Sequence, residues 1–366
     1  MKKEKIAILL LFVFYLCTIT QFTYAQSVIV GFYNFENFYD TIDQKNVADE
    51  DFLPQSAKRY NSQLYQIKSA HIASVLYGMG EIENANGLAL LGIAEVENKT
   101  VLKQLAEEPL IKKYHYQFIH FDSKDIRGID VALMYHPNHF KPYQYRTYSL
   151  TDSFHFTEYA TRDILYVKGI LDKTWVHILV NHWPSRRGGE RISGDKRRWA
   201  ATVCKRIIDS IELRDPLSKI IVMGDFNDNP NNRSIRQLKL ANPFLPLFKK
   251  GLGSLAYRDS WNLFDQILLN NQWKPCPDAP SLTPSRLKWP YYRIQNKALL
   301  APEANESDLK YYKSMIYRNL ALTEQEGKYQ GYPKRTWQGD QFAGGYSDHY
   351  PVVIIFKAKN AENPLK

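Results

Sequence analysis

Short apolar runs recur along the chain, each closed by polar residues, at 28–32, 88–93, 129–134, 164–170, 176–180, 220–223, 264–269 and 352–356. They are rich in β-branched residues, and several are almost continuously apolar, the pattern of strands covered on both faces. Between them the period changes. Leu64, Ile67, Ile72, Val75 and Leu76 fall on one stripe of a helix over 63–77, and Trp199, Val203, Ile207 and Ile208 on one over 195–211. Strands and helices in this order predict an α/β fold, a four-layered sandwich with two packed mixed sheets inside and helices outside. Residues 271–345 break the rhythm with Pro, Tyr, Lys and Arg. They read as a long, partly helical insertion before the last strand.

The first 25 residues stand apart. Lys2, Lys3 and Lys5 precede an apolar run from 6 to 17, and Thr23-Tyr24-Ala25 supplies the small residues that a signal peptidase reads. That run falls short of the about 20 residues needed to span a bilayer. The expectation is an exported protein, periplasmic or extracellular, without stable membrane insertion. Residues 26–366 then make one domain, since no Gly/Ser-rich linker, low-complexity tract or repeat divides them. A monomer is expected.

Charge narrows the choice of partner. The 366-residue chain carries +10, or +8 once the three Lys and one Glu of the leader are subtracted. A basic exported protein suits a polyanion, whose counterions its Lys and Arg displace. Of three cysteines only Cys204 and Cys276 lie beyond the leader. They allow one disulfide at most and exclude a cysteine-rich zinc site.

Candidate chemistry gathers where the apolar runs end. The first delivers Asn34 and the second Glu95; later runs deliver Asn181 and His182, then Gly224-Asp225-Phe226-Asn227-Asp228, then Asp265, and Ser347-Asp348-His349 precedes the last. Any one of these suits a turn or strand-end cap. The ordered set points instead to a pocket at one edge of the sandwich, its groups held on rigid strands. Glu95, Asp348, Asp225, Asn34 and Asn227 are hard oxygen donors, which select Mg²⁺, with Mn²⁺ or Ca²⁺ as alternatives, over zinc. Such an ion offsets charge on a phosphodiester under attack. His349 titrates where an imidazole can take a proton from water, and a carboxylate such as Asp265 would fix its tautomer.

In order, Asn34 within Asn-Phe-Glu-Asn-Phe-Tyr-Asp, Glu95 in Ala-Glu-Val-Glu-Asn, Arg127-Gly-Ile-Asp130, Thr161-Arg-Asp163, Asn181-His-Trp-Pro184, Gly224-Asp-Phe-Asn-Asp228 and Ser347-Asp-His349 resemble the endonuclease/exonuclease/phosphatase superfamily. That superfamily includes pancreatic-type deoxyribonuclease and abasic-site endonucleases, and the resemblance covers nearly all of the chain beyond the leader. It implies that Glu95 and Asn34 bind the metal, with Asp348 near it. It also implies that Asp225 binds or activates the attacking water, with Asn227 holding the phosphate or that water. His349 resembles the histidine on the scissile phosphate, oriented by Asp265, and His182 one near the phosphate or leaving group. Asp225 and His349 both stand as candidate bases. Arg127 and Arg162 are implied near the site, and Asn181 is taken as a substrate contact. The Arg186-Arg187-Gly188-Gly189 loop is placed to reach a phosphate next to the cleaved one.

Two departures mark this chain. Ala94 precedes Glu95 where many members carry Gln, and the segment between Asp265 and Asp348 exceeds the family's compact core. Within it, Tyr329-Gln-Gly-Tyr-Pro-Lys-Arg-Thr-Trp337 interleaves aromatics with cations. It serves equally as a base-stacking platform or a packed flap. The expected activity is a secreted Mg²⁺-dependent nuclease that cleaves DNA or RNA by in-line attack of an activated water. The alternative is a phosphatase or phosphodiesterase for inositol phosphates, sphingomyelin-like lipids or small phosphodiesters. A binding module that had lost catalysis would have no use for Glu95, Asp225, Asp348 and His349 together.

Overall fold

The computed structural model describes residues 27–150, 161–276, 279 and 309–358. The expected leader, 1–25, lies outside them. In chain order the strands are β1 (Ser27–Phe38), β2 (Leu90–Val96), β3 (Gln117–His120), β4 (Asp130–Tyr135), β5 (Phe140–Tyr148), β6 (Ile164–Leu171), β7 (Thr174–His182) and β8 (Lys219–Asp225). They continue with β9 (Leu255–Tyr257), β10 (Ser260–Asn262), β11 (Asp265–Leu269), β12 (Lys310–Ile316), β13 (Trp337–Gln338), β14 (Gln341–Phe342) and β15 (Val352–Lys357). The helices are α1 (Ser62–Gly80), α2 (Lys99–Ala106), α3 (Glu190–Arg214), α4 (Arg233–Gln237) and α5 (Leu245–Lys249).

Two sheets make the body, one ordered β12-β15-β1-β2-β4-β3 and the other β11-β8-β7-β6-β5. Strands β1 and β2 pair in parallel, as do β7 and β8, while β15 runs against β1 and β11 against β8. Alternation then sends each strand's side chains into two apolar layers. Val28, Val30 and Phe32 of β1 meet Val176, Ile178 and Val180 of β7 and Met223 of β8 between the sheets. Ile29 and Tyr33, on the other face of β1, meet Ile72, Val75, Leu76 and Met79 of α1. Beyond the second sheet, Leu179, Ile220 and Val222 pack on Ala200, Cys204, Ile207 and Ile208 of α3. The layers run helix, sheet, sheet, helix, which is why the inner strands are apolar on both faces.

All eight apolar runs are strands, and both helical stripes lie in α1 and α3. Local chemistry starts α1, where the Asn61 side chain accepts from the backbone N–H groups of Gln63 (3.0 Å) and Leu64 (3.1 Å). The longer strands that the pattern missed, β3, β5 and β12, are three of the four sheet edges; the fourth, β11, is buried throughout and was visible as the run 264–269. An edge strand keeps solvent on one side and tolerates polar residues, so its apolar signal fades. Residues 271–345 depart from the partly helical expectation. Among their described residues there is no helix; β12 pairs with β15 and widens the first sheet, and β13 and β14 form a hairpin. Cys204 and Cys276 are both free.

The sheets approach closely at Gly92 on β2, where a Cβ would stand 2.4 Å from Met223 Sδ and 2.9 Å from Phe32 Cδ2. Gly92→Ala should therefore destabilise by about 1–3 kcal/mol through overpacking. Met223→Ala should recover part of that loss in the double mutant, although it costs stability alone. Denaturant melts of the four proteins measure the coupling; strictly additive losses would mean that Met223 is not the obstacle.

Candidate active site

Strand direction brings the polar ends together. The parallel pairs finish at one edge, with Asn34 and Glu95 from the first sheet and His182 and Asp225 from the second. Because β11 and β15 run the opposite way, Asp265 and His349 reach that edge at or just before their starts. Asp225 sits opposite Asp265 on one side and His182 on the other. Gly224 permits this, since a Cβ there would lie 2.4 Å from the Asn181 carbonyl oxygen.

Backbone irregularity aims the first sheet's groups. The register shifts between Asn34 and Phe38 on β1 and between Ala94 and Val96 on β2. Glu36 and Glu95 take φ of +51° and +62°. Left-handed conformations cost of order ~1–3 kcal/mol at residues other than Gly, and they persist where the surroundings enforce them. Here the Asn37 N–H donates to Glu95 Oε2 at 2.9 Å, fixing the carboxylate.

The side chains from the two sheets meet. Asn34 Nδ2 donates to Asp225 Oδ2 at 3.2 Å. His182 Nε2 lies 3.6 Å from Asp225 Oδ2 and 3.8 Å from Glu95 Oε1. His349 Nδ1 is 2.7 Å from Asp265 Oδ2, which also accepts from Ser254 Oγ at 2.5 Å. The backbone N–H of Asn227 donates to Asp225 Oδ1 at 2.9 Å, and its side-chain Nδ2 to the Trp183 carbonyl at 3.0 Å. Asp225, Asp265 and His349 each place one donor atom within 4.8 Å of the others, close enough to share a cation. His120, Asp122 and Asp130 have similar spacing at a separate place.

Burial and charge set the protonation states. Burial, then the Asp265 carboxylate, push Asp225 up to about 7. Burial opposes the His349 imidazolium, but Asp265, with Asp348 and Asp225, outweighs it and holds the ring well above its ordinary range. His182 goes the other way. Burial, then the positive charges of Arg162 and Arg127, keep it neutral, and its Nδ1 has no hydrogen-bond partner among the described residues.

Several predicted substrate contacts are engaged elsewhere. Asn181 is buried, accepts from Trp183 Nε1 at 3.0 Å and donates toward the Leu179 and Met223 carbonyls, so its polar atoms brace the strand ends. Arg162 is also buried, spanning Asp125 Oδ2 (2.9 Å) and the Trp183 carbonyl (3.0 Å). Arg186 binds Asp228 Oδ1 at 3.0 Å and the Asn227 carbonyl at 2.9 Å and lies over the Phe264 ring. It holds the Asp225–Asp228 turn instead of reaching outward. Arg187 is exposed. Arg127 is partly exposed and pairs with Asp125 at 3.3 Å; burial opposes its charge, but Glu95 and Asp125 outweigh it and hold the guanidinium above its ordinary range.

Sequence reasoning missed a second group. Glu36, buried in the bulge of β1, accepts from the Thr336 N–H at 2.6 Å and lies 3.4 Å from Arg335 Nε. Buried Lys68 of α1 donates to the Glu36 carbonyl and to Thr336 Oγ1, both at 2.7 Å. Arg335 Nη2 reaches Asp348 Oδ2 at 3.1 Å. Lys68 sits on an otherwise apolar helical stripe, the one available signal that it has a buried anionic partner.

The sequence pattern described as Endonuclease/Exonuclease/phosphatase family matches residues 29–274 and 292–358. No curated protein matches the chain. Among solved structures, an endonuclease/exonuclease/phosphatase family protein from Bacteroides thetaiotaomicron superposes with a TM-score of 0.52 at 13% identity, covering 92% of this chain and 100% of that one. The human Nocturnin catalytic domain with bound sulfate anion gives 0.50 at 15% identity, over 91% and 95% of the two chains. A mannosyl-6-phosphatase of Bacteroides thetaiotaomicron gives 0.50 at 13%, over 90% and 99%. At these identities the likeness is one of fold.

The Asp265–His349 pair predicts a pH signature. The folded pKa of His349 is raised, so its stabilising contribution is complete below the unfolded value of about 6.5 and is lost as pH climbs through the folded one. In chelator-treated protein, NMR titration should find the His349 ring cationic above neutral pH, and Asp265→Asn should return it toward about 6.5. Identical titration in both proteins would contradict the pairing.

Proposed function

The chain belongs to the endonuclease/exonuclease/phosphatase family, metal-dependent hydrolases of phosphodiesters or phosphate esters, and we propose that it is an exported Mg²⁺-dependent phosphodiesterase acting on nucleic acid. What carries the reading is the meeting of Glu95, Asp225 and His182 with the Asp265–His349 pair at one sheet edge. The donor set fits a hard cation. It offers carboxylates and an amide but no sulfur, and its crowding with Asp265 helps raise Asp225, a repulsion that a divalent ion relieves.

In this reading Glu95 and Asn34 would hold the cation, with Asp348 nearby. When bound, the ion offsets charge on a non-bridging phosphate oxygen. Asp225 orients the attacking water and takes its proton, a role for which burial, the larger cause of its raised pKa, leaves it more basic than an ordinary carboxylate. His349, kept cationic by Asp265, holds the scissile phosphate and serves as electrostatic partner, not base. Asn227 has spent one amide N–H on Trp183 and keeps another for a phosphate oxygen. Neutral His182 lies between Glu95 and Asp225, where the leaving oxygen needs a polar partner. Arg127 is partly exposed beside Glu95 and supplies positive charge to the substrate. The excess of eight positive charges that remains once the leader's three Lys and one Glu are subtracted from the chain's +10 supports a polyanionic substrate.

A panel of plasmid DNA, RNA, a chromogenic phosphodiester, sphingomyelin, an inositol phosphate and a sugar phosphate, each with Mg²⁺ and with chelator, tests the assignment. Cleavage of the nucleic acids only with Mg²⁺ is expected; exclusive turnover of a monoester or lipid would overturn it. Glu95→Gln should lose most Mg²⁺-dependent turnover with an unaltered melting curve, and unchanged rates would remove Glu95 from the metal site. His349→Ala should lower kcat by about 10²–10³-fold, the loss expected for one electrostatic stabiliser of the reacting phosphate. An effect on KM alone would refute its contact with the reacting phosphate.

A further inference from the structure

We propose that Arg335 is a second anion-recognition point beside the catalytic edge, and that the substrate it selects is a phosphodiester bearing a further phosphate group. The inference rests on the catalytic reading above and names a substrate feature that reading leaves open. Its basis is position. One carboxylate, Asp348, touches both groups: Oδ2 lies 3.1 Å from Arg335 Nη2, and Oδ1 lies 3.9 Å from His349 Nε2. The guanidinium therefore stands next to the place where a phosphate on His349 would sit.

Exposure separates Arg335 from its supports. Its side chain is 47% accessible, against 4% for that of Glu36, which steers it from below. The support is firm, because Glu36 is bound by the Thr336 N–H, and Lys68 ties the Glu36 carbonyl to Thr336 Oγ1. Trp337 is buried two residues on, anchoring the segment in the core with Phe52 and Tyr60. The guanidinium uses Nε toward Glu36 and Nη2 toward Asp348, while Nη1 makes no hydrogen bond among the described residues. A planar fork held in this way suits two oxygens of one phosphate.

A buried carboxylate and ammonium are costly to retain, and holding an arginine at a fixed angle is a use that justifies them. The basic loop that the sequence favoured for a neighbouring phosphate has its Arg186 locked to Asp228. Arg335, from the aromatic and cationic stretch 329–337, takes that place.

Calorimetric titration of the chelator-treated protein with a thymidine dinucleotide, unphosphorylated or carrying a 5′- or 3′-phosphate, tests the proposal. Wild type should bind at least one phosphorylated form about tenfold more tightly than the plain dinucleotide, the effect of one or two hydrogen bonds to a charged group. Arg335→Gln should bring that ratio to about one and Arg335→Lys should keep part of it, with melting curves confirming that both fold. Wild type without the preference, or Arg335→Gln that retains it, would overturn the inference. Binding needs no turnover, so a chain that discriminates but hydrolyses no nucleic acid would sink the catalytic reading and leave Arg335 as a phosphate-recognition point alone.

Discussion

The hydrogen bond between Asp265 and His349 joins the two sheets at the edge where the candidate site residues gather. Asp265 opens β11 of the second sheet, and His349 stands just ahead of β15 of the first. Asn34 and Asp225 make the neighbouring crossing, again one residue from each sheet. These links sit at the ends of a close-packed apolar layer containing Val30, Phe32, Val180 and Met223. The layer fixes the separation of the sheets, and the polar links use that separation. Displacement of one sheet would therefore disturb every donor and acceptor at the edge together.

Around this edge the molecule places charged groups in the interior and partners them. Asp228 binds Arg186 and buried Arg197, Asp125 binds Arg127 and Arg162, and Glu36 is held by Thr336 and faces Arg335. Each cluster ties a loop beyond one strand to another part of the fold. Removing one partner from such a cluster leaves a buried charge uncompensated, which costs far more than a surface ion pair. Their arrangement suggests that loop position, more than net stability, is what they secure. The helix-side core under α1 and the sheet-to-sheet layer supply the apolar burial that offsets this cost.

The inner strands were legible because burial on both faces writes an unbroken apolar run, and α1 and α3 because one apolar stripe repeats at helical spacing. The edge strands β3, β5 and β12 were not, since one open side lets polar residues such as Lys141, Gln144 and Lys313 enter. Candidate site residues at strand ends were visible for a related reason. A polar residue that follows an apolar run lies at the rim of the sheet whatever the rest of the fold does. The internal partners of Asn181, Arg162 and Arg186 were not legible, because residue type reports a capacity to form polar contacts, and only the fold shows that Trp183, Asp125 and Asp228 engage it.

The sequence by itself determined the layered α/β architecture, the family and the set of residues able to do chemistry, because periodicity and strand-end polarity are local properties. Tertiary structure alone decided which of those groups meet, which arginines are consumed internally, and that Glu36, Lys68 and Arg335 form a unit from three distant segments. Hydrogen bonds act over about 3 Å, whereas Lys68 and Thr336 lie 268 positions apart in the chain. Only the register and twist of the folded sheets convert the one separation into the other.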